Sequence, residues 1–129
     1  MADFGLLILR VCLGGMFMSH GMQKLFGFFG GTGISGFSKY LTSLGFAPAT
    51  LWAYVAGCTE LIGGLLLVLG LFTRGAAAWL CIFIIIAAVK VHMPNGFFMQ
   101  NGGYEYTLII ASVCIALALM GGGKFSVIK

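Results

Sequence analysis

The fold class this sequence predicts is an all-α integral membrane bundle, on three observations. Of its 129 residues 60% are hydrophobic and only 8% are charged, a balance that does not describe a soluble domain of this length. The mean hydropathy is +1.09. Apolar residues also run unbroken through stretches of about 20 positions, the number that spans a hydrocarbon core roughly 30 Å thick. Outer-membrane strands would instead alternate apolar and polar residues over about 10 positions.

Four spans fit, at residues 4–25, 50–72, 75–92 and 104–120, within one transmembrane domain covering 1–129. The first span lacks the basic leader and small-residue cleavage site of a signal peptide, and Arg10 interrupts its apolar run, so it reads as a retained helix. Four crossings place both termini on one side of the bilayer. The connections at 27–45 and 93–103 then share the other side, and the former reads as a glycine-rich, mildly amphipathic loop.

Basic residues do not orient the bundle, although cytoplasmic flanks usually carry more Lys and Arg. Arg74, Lys124 and Lys129 flank the terminal side, against Lys24, Lys39 and Lys90 on the loop side. The same even split leaves no basic patch for nucleic acid, despite a pI near 9.0. The partner this composition requires is the lipid bilayer.

Glu60 is the most informative residue, a carboxylate inside an apolar run from position 51 to 72. Charge in hydrocarbon persists where it is paired or used. Counting inward from the loop-side ends, Arg10 and Glu60 fall at comparable depths, so one reading is a structural ion pair near the bilayer centre. The other is functional, with Glu60 exchanging protons or binding a polar head group.

A second polar cluster gathers at the loop-side ends: His20, Gln23 and Lys24, then Lys90 and His92, then Tyr104, Glu105 and Tyr106. His20, Gln23 and Lys24 stand at i, i+3 and i+4, so one helix face presents an imidazole, an amide and an ammonium together. Glu105 is placed to pair with Lys90 or Lys24. Interface anchoring is one reading of these residues. The other is a polar pocket with His20 or His92 as proton carrier and Lys24 as ligand for an anion or a quinone oxygen.

No HxxxH, HExxH or Cys-His spacing supports a metal or haem site. Cys12, Cys58, Cys81 and Cys114 form no CxxC and all lie within spans, where an apolar environment suppresses the thiolate. Cys12 and Cys58 read as sharing a depth, as do Cys81 and Cys114. Gly31-Thr32-Gly33-Ile34-Ser35-Gly36 matches GxGxxG but has no preceding strand. Gly14-Gly15, Gly63-Gly64 and the alanines Ala76, Ala77 and Ala78 instead suit close helix approach.

A faint repeat links His20, Gly27-Phe28-Phe29 and Gly30-Gly31 to His92, Gly96-Phe97-Phe98 and Gly102-Gly103. Two parallel halves of this kind tend to place a shared site at their interface.

Several segments taken in order carry a family resemblance: His20-Gly21-Met22-Gln23-Lys24-Leu25-Phe26-Gly27 with Phe29-Gly30-Gly31, Glu60 followed by Gly63-Gly64, Leu69-Gly70-Leu71-Phe72-Thr73-Arg74, and His92 leading to Gly96-Phe97-Phe98 and Gly102-Gly103-Tyr104-Glu105-Tyr106. Over nearly its whole length the sequence resembles the DoxX family of small four-helix membrane proteins. The resemblance implies a cytoplasmic (inner) membrane protein with both termini inside and the His20 and His92 loops outside. The family takes its name from a subunit of an archaeal thiosulfate:quinone oxidoreductase, some bacterial relatives are linked to complexes handling oxidative or thiol stress, and many members carry only the general label of oxidoreductase.

Together these readings point to a quinone-interacting oxidoreductase subunit that needs a soluble or membrane redox partner. Glu60, His20, Lys24, His92 and Glu105 are its candidate catalytic residues, and Gln23, Arg10, Lys90 and Tyr104 its candidate cofactor contacts. The competing class is a non-enzymatic membrane anchor or assembly subunit, or a small proton-coupled carrier. Small-residue faces suit a homodimer.

Overall fold

The computed structural model describes residues 1–128. Five α-helices carry the fold: α1 (Ala2–Phe26), α2 (Gly33–Ser43), α3 (Ala49–Leu69), α4 (Thr73–Ala87) and α5 (Glu105–Met120). Beyond Ala87 the backbone widens into a π-helical turn over Ala88–His92 and tightens into a 3₁₀ turn at Met93–Asn95, so the helical rod runs Thr73–Asn95. Three rods, Ala2–Phe26, Ala49–Leu69 and Thr73–Asn95, are long and apolar enough to cross a membrane. α5 is apolar but only 16 residues long, about 24 Å at the α-helical rise. The third expected span, 75–92, runs past the end of α4 at Ala87 into the π-helical turn.

Apolar side chains also cover the outside, among them Ile62, Leu65, Trp79, Ile82, Ile109 and Leu119. Helices apolar on every side suit a lipid surround. The protein is a multi-pass membrane protein built as a helical bundle.

The broadest contacts join α1 to α3 and α4 to α5, and α3 also packs on α4. Glycine sets the closeness of the first pair. A Cβ on Gly14 would stand 2.5 Å from the Gly64 carbonyl oxygen, one on Gly64 would stand 2.5 Å from that of Gly14, and one on Gly21 would stand 2.9 Å from that of Gly57. Backbones approach this closely only where side chains are absent. Phe17, Leu67, Leu80, Cys114 and Leu117 fill the core.

The N-terminus and the tail up to Ile128 lie at one end of the bundle, hereafter the terminal end. There Asp3 Oδ1 accepts the Lys124 N–H at 2.9 Å, the Val127 and Ile128 amides donate to Leu69 and Gly70 at 3.2 and 3.1 Å, and Arg74 Nη1 donates to the Leu119 carbonyl at 2.8 Å. The connections after α1 and after α4 lie at the opposite, loop end.

The connection expected as a glycine-rich loop is largely helical. A 3₁₀ turn at Phe28–Gly30 leads into α2, which rests on α3 and α1. Leu41 is buried and Ile34, Phe37 and Ser38 are half-buried, while Ser35, Lys39, Tyr40, Thr42 and Ser43 are exposed. The apolar spacing of one helix face outweighs the glycines, which shape the turns around α2. The GxGxxG match falls across the start of this helix.

Candidate functional site at the loop end

Glu60 is paired, but not with Arg10. Lys24 Nζ donates to Glu60 Oε1 in the one salt bridge among the described residues. The carboxylate side chain is 4% exposed and the lysine side chain 23%.

Helix register explains the choice. Gly14 abuts Gly64 and Gly21 abuts Gly57, so antiparallel α1 and α3 place Glu60 level with Met18. Lys24 is six residues from that level and Arg10 eight in the other direction, about 9 and 12 Å along the axis. Side-chain direction then separates them, because helical side chains lean toward the helix N-terminus. Lys24 leans inward from the loop end and Glu60 leans outward to meet it. Arg10 leans away, toward the terminal end.

Arg10 is fully buried, and its Nη1 and Nη2 donate to the carbonyls of Leu67 and Phe125, each at 3.3 Å. Its cost of burial is offset by main-chain acceptors at helix and tail ends. The expected central Arg10–Glu60 pair is therefore replaced by two separate anchors at different depths. The same register places Cys58 level with His20, eight residues from the level of Cys12, so those thiols do not share a depth. All four cysteines are free, with Cys81 and Cys114 buried.

The Lys24 ammonium has further company. The ring centroids of Phe37, on α2, and Phe83, on α4, each lie 5.2 Å from Nζ. Four helices thus contribute to one position: the lysine from α1, the carboxylate from α3 and a phenyl face from each of α2 and α4. Cation–π attraction of this kind strengthens as water is removed.

One turn before Lys24, His20 Nδ1 donates to Gln23 Oε1 at 2.9 Å, and Gln23 Nε2 donates to the Phe29 carbonyl at 3.3 Å. A neutral His20 in this arrangement leaves Nε2 as an acceptor. His20, Gln23 and Lys24 share a helix face as their spacing predicts.

The second half of the predicted cluster is organised differently. His92 Nδ1 donates to the Gly102 carbonyl at 2.9 Å, which Asn95 Nδ2 also reaches at 3.2 Å. The Tyr104 and Glu105 amides donate to Gly96 and Phe97 at 3.0 and 2.8 Å, and the Tyr104 ring packs edge-on against Phe97 at 5.3 Å. His92 and Tyr104 thus knit their own connection together. Lys90 is exposed and Glu105 forms no salt bridge among the described residues, so the expected pairing of Glu105 with Lys90 or Lys24 is not made; Glu60 takes Lys24 instead. Tyr106 turns inward, its hydroxyl donating to Met16 Sδ at 2.7 Å.

On another face of α3, a groove of about 580 Å³ runs between α3 and α4, with Thr59, Ile62, Gly63, Ala76 and Trp79 among its walls; neither Lys24 nor Glu60 lines it. Its polar contribution is satisfied internally, as Trp79 Nε1 donates to Thr59 Oγ1 at 3.1 Å. Among the described residues no three His, Cys, Asp or Glu side chains are grouped to hold a metal ion.

Comparison with known proteins gives these residues a family. The model of the DoxX family matches residues 5–93, a stretch that holds Lys24, Glu60, Phe37 and Phe83. The chain belongs to the DoxX family.

Among its DoxX relatives is a Bacillus subtilis (strain 168) protein named "Putative oxidoreductase CatD", 34% identical over 125 residues that cover 95% of this chain and 83% of that protein. Two uncharacterised proteins of Haemophilus influenzae (strain ATCC 51907 / DSM 11121 / KW20 / Rd) are each 32% identical over 125 residues, covering 94% and 92% of this chain and 79% and 84% of their own lengths. No solved structure matches the chain.

Phe37 and Phe83 are the residues that sequence reasoning misses in this DoxX chain. Phe37 carries a weak signal, the amphipathic character of 27–45. Phe83 carries none, because a phenylalanine within an apolar span has no distinguishing pattern.

Proposed function

We propose that this DoxX protein is a membrane subunit of a quinone-linked oxidoreductase, with its head-group site formed by Lys24, Glu60, His20 and the rings of Phe37 and Phe83. The observation that carries the reading is the ion pair itself. A donor and an acceptor of opposite charge are held where four helices contribute, the carboxylate almost fully buried and the ammonium against two aromatic faces.

The residues fit such a group. Phenyl faces match a flat ring, the Lys24 ammonium matches a carbonyl oxygen, and the apolar outer surfaces of the helices suit an apolar tail. A bound quinone supplies an acceptor for two electrons and two protons. Lys24 would hold one of its oxygens, Glu60 would exchange a proton there, and His20, whose Nε2 can accept, would pass protons from the loop-end surface. Packing of α1 on α3 keeps bulk water from the carboxylate. Electrons come from a soluble or membrane redox partner. His92, Glu105, Gln23, Lys90 and Tyr104 support the loop-end surface around this route, and Arg10 is a structural anchor.

The same proposal places the chain in the inner membrane as one four-crossing domain, with α5 as the fourth crossing, both termini cytoplasmic and a homodimer as the assembly. The name of the Bacillus subtilis relative supports an oxidoreductase role.

The test is extraction into nanodiscs, native mass spectrometry and identification of every small molecule released. Stoichiometric quinone in the unaltered chain, lost in Lys24→Ala and Glu60→Gln variants that remain folded, is the expected result. Normal quinone retention in either variant rejects the assignment.

A non-enzymatic anchor or a small proton-coupled carrier is the second reading, favoured by the participation of Lys24 and Glu60 in joining α1 to α3. It predicts a clean oligomer or a protein adduct with no quinone, and Glu60→Gln affecting chiefly stability.

A further inference from the structure

The Lys24 ammonium is enclosed by one carboxylate and two phenyl faces. Glu60 Oε1 accepts a hydrogen bond from it, and the Phe37 and Phe83 centroids each stand 5.2 Å from Nζ. A desolvated carboxylate flanked by aromatic faces is the chemistry that recognises organic ammonium ions, since each ring quadrupole attracts a cation. Here the chain supplies the cation itself, on a flexible four-carbon stem.

The two halves of the pair are not equally held. Glu60 is 4% exposed and Lys24 is 23% exposed, and Lys24 lies in the last turn of α1. The lysine therefore has a path to the head-group level at the loop end, where long basic side chains place their charge readily. The carboxylate has none. Phe37 belongs to α2, which begins at Gly33 with φ +68° and is followed by Gly45 with φ +90°. Glycine adopts such backbone angles without side-chain strain, so the turns on either side of α2 set how Phe37 is seated over the pair.

We infer that Glu60, Phe37 and Phe83 form a binding site for a lipophilic organic ammonium ion, which takes the place of Lys24 while the lysine swings to the loop-end surface. One positive charge enters beside Glu60 as another leaves it, so the carboxylate is never left unpaired. Lys24 is a built-in competitor. This goes beyond the quinone reading and separates from it cleanly: a neutral quinone ring uses Lys24, whereas a cation competes with it.

The experiment titrates benzyltrimethylammonium, with its uncharged carbon analogue neopentylbenzene as control, into the full chain in nanodiscs, read by calorimetry. Lys24→Gln tightens cation binding by about tenfold or more. In that background Phe83→Leu weakens binding by about tenfold, the scale of a desolvated cation–π contact, and Glu60→Gln abolishes it. The neutral analogue is indifferent to all three changes. Equal or weaker cation binding by Lys24→Gln overturns the proposal, as does a neutral analogue that follows the same series. Where Lys24→Gln fails to fold on its own, recovery of the bundle by extraction with benzyltrimethylammonium present supports the site, and no recovery overturns it.

Discussion

Glu60 on α3 takes its counter-ion from Lys24, near the loop end of α1, while Arg10 on the same helix turns to the opposite end and binds main-chain carbonyls. One helix thus carries two cations with separate tasks, Lys24 partly exposed and Arg10 fully buried. The first belongs to the candidate site, and the second pins the C-terminal tail against the bundle.

Removing Lys24 alone leaves a carboxylate buried without a partner. Lys24→Ala should destabilise the bundle by about 3–5 kcal/mol, the usual cost of orphaning a buried charge, and Lys24→Met with Glu60→Leu should recover most of it. Reversible thermal or denaturant unfolding in detergent measures both. Arg10→Leu should give Glu60→Gln no rescue, because the two residues are not in contact; rescue would restore the central pair that the structure replaces.

Arg10 has a different readout. It joins the end of α3, through Leu67, to the tail, through Phe125, and each bond to a charged donor contributes about 1.5–3 kcal/mol. Arg10→Met should therefore accelerate hydrogen exchange at the Val127 and Ile128 amides, which donate to Leu69 and Gly70. Unchanged exchange there would show that the tail is held without it.

Close packing of α1 on α3 predicts a contrast between adjacent glycines. Gly14→Ala drives a methyl group against the Gly64 carbonyl, whereas a Cβ on Gly15 meets nothing within 4 Å. Overpacking should cost about 1–3 kcal/mol at Gly14. Gly15→Ala should be neutral or stabilising by up to about 1 kcal/mol through helix propensity. Parallel melting curves decide it, and equal effects at the two positions would refute the register.

The aromatic contacts can be weighed by double-mutant cycles. Lys24→Met combined with Phe83→Leu, and separately with Phe37→Leu, should each give a coupling energy of about 0.5–2 kcal/mol. A coupling near zero in both cycles would mean that the rings border the ammonium without attracting it.

Much of the site is legible in the order of the residues. Glu60 stands out because charge is rare in hydrocarbon, and His20, Gln23 and Lys24 because their spacing puts them on one face. The partner of Glu60 is not legible there. Depth counted from uncertain span ends brings Arg10 to the carboxylate, yet the interlocking of Gly14 with Gly64 and Gly21 with Gly57 sets the true level. The lean of each side chain along its helix then sends Lys24 toward Glu60 and Arg10 away.

The sequence by itself determined that the chain is a helical membrane protein of the DoxX family and which polar residues stand inside its apolar runs. Those properties follow from composition, periodicity and local motif order. Tertiary structure alone decided which cation Glu60 holds, that a segment rich in glycine folds as α2 over the pair, and that Phe37 and Phe83 close around Lys24. Each depends on the register and direction of side chains from different helices, which are fixed only when the backbones pack.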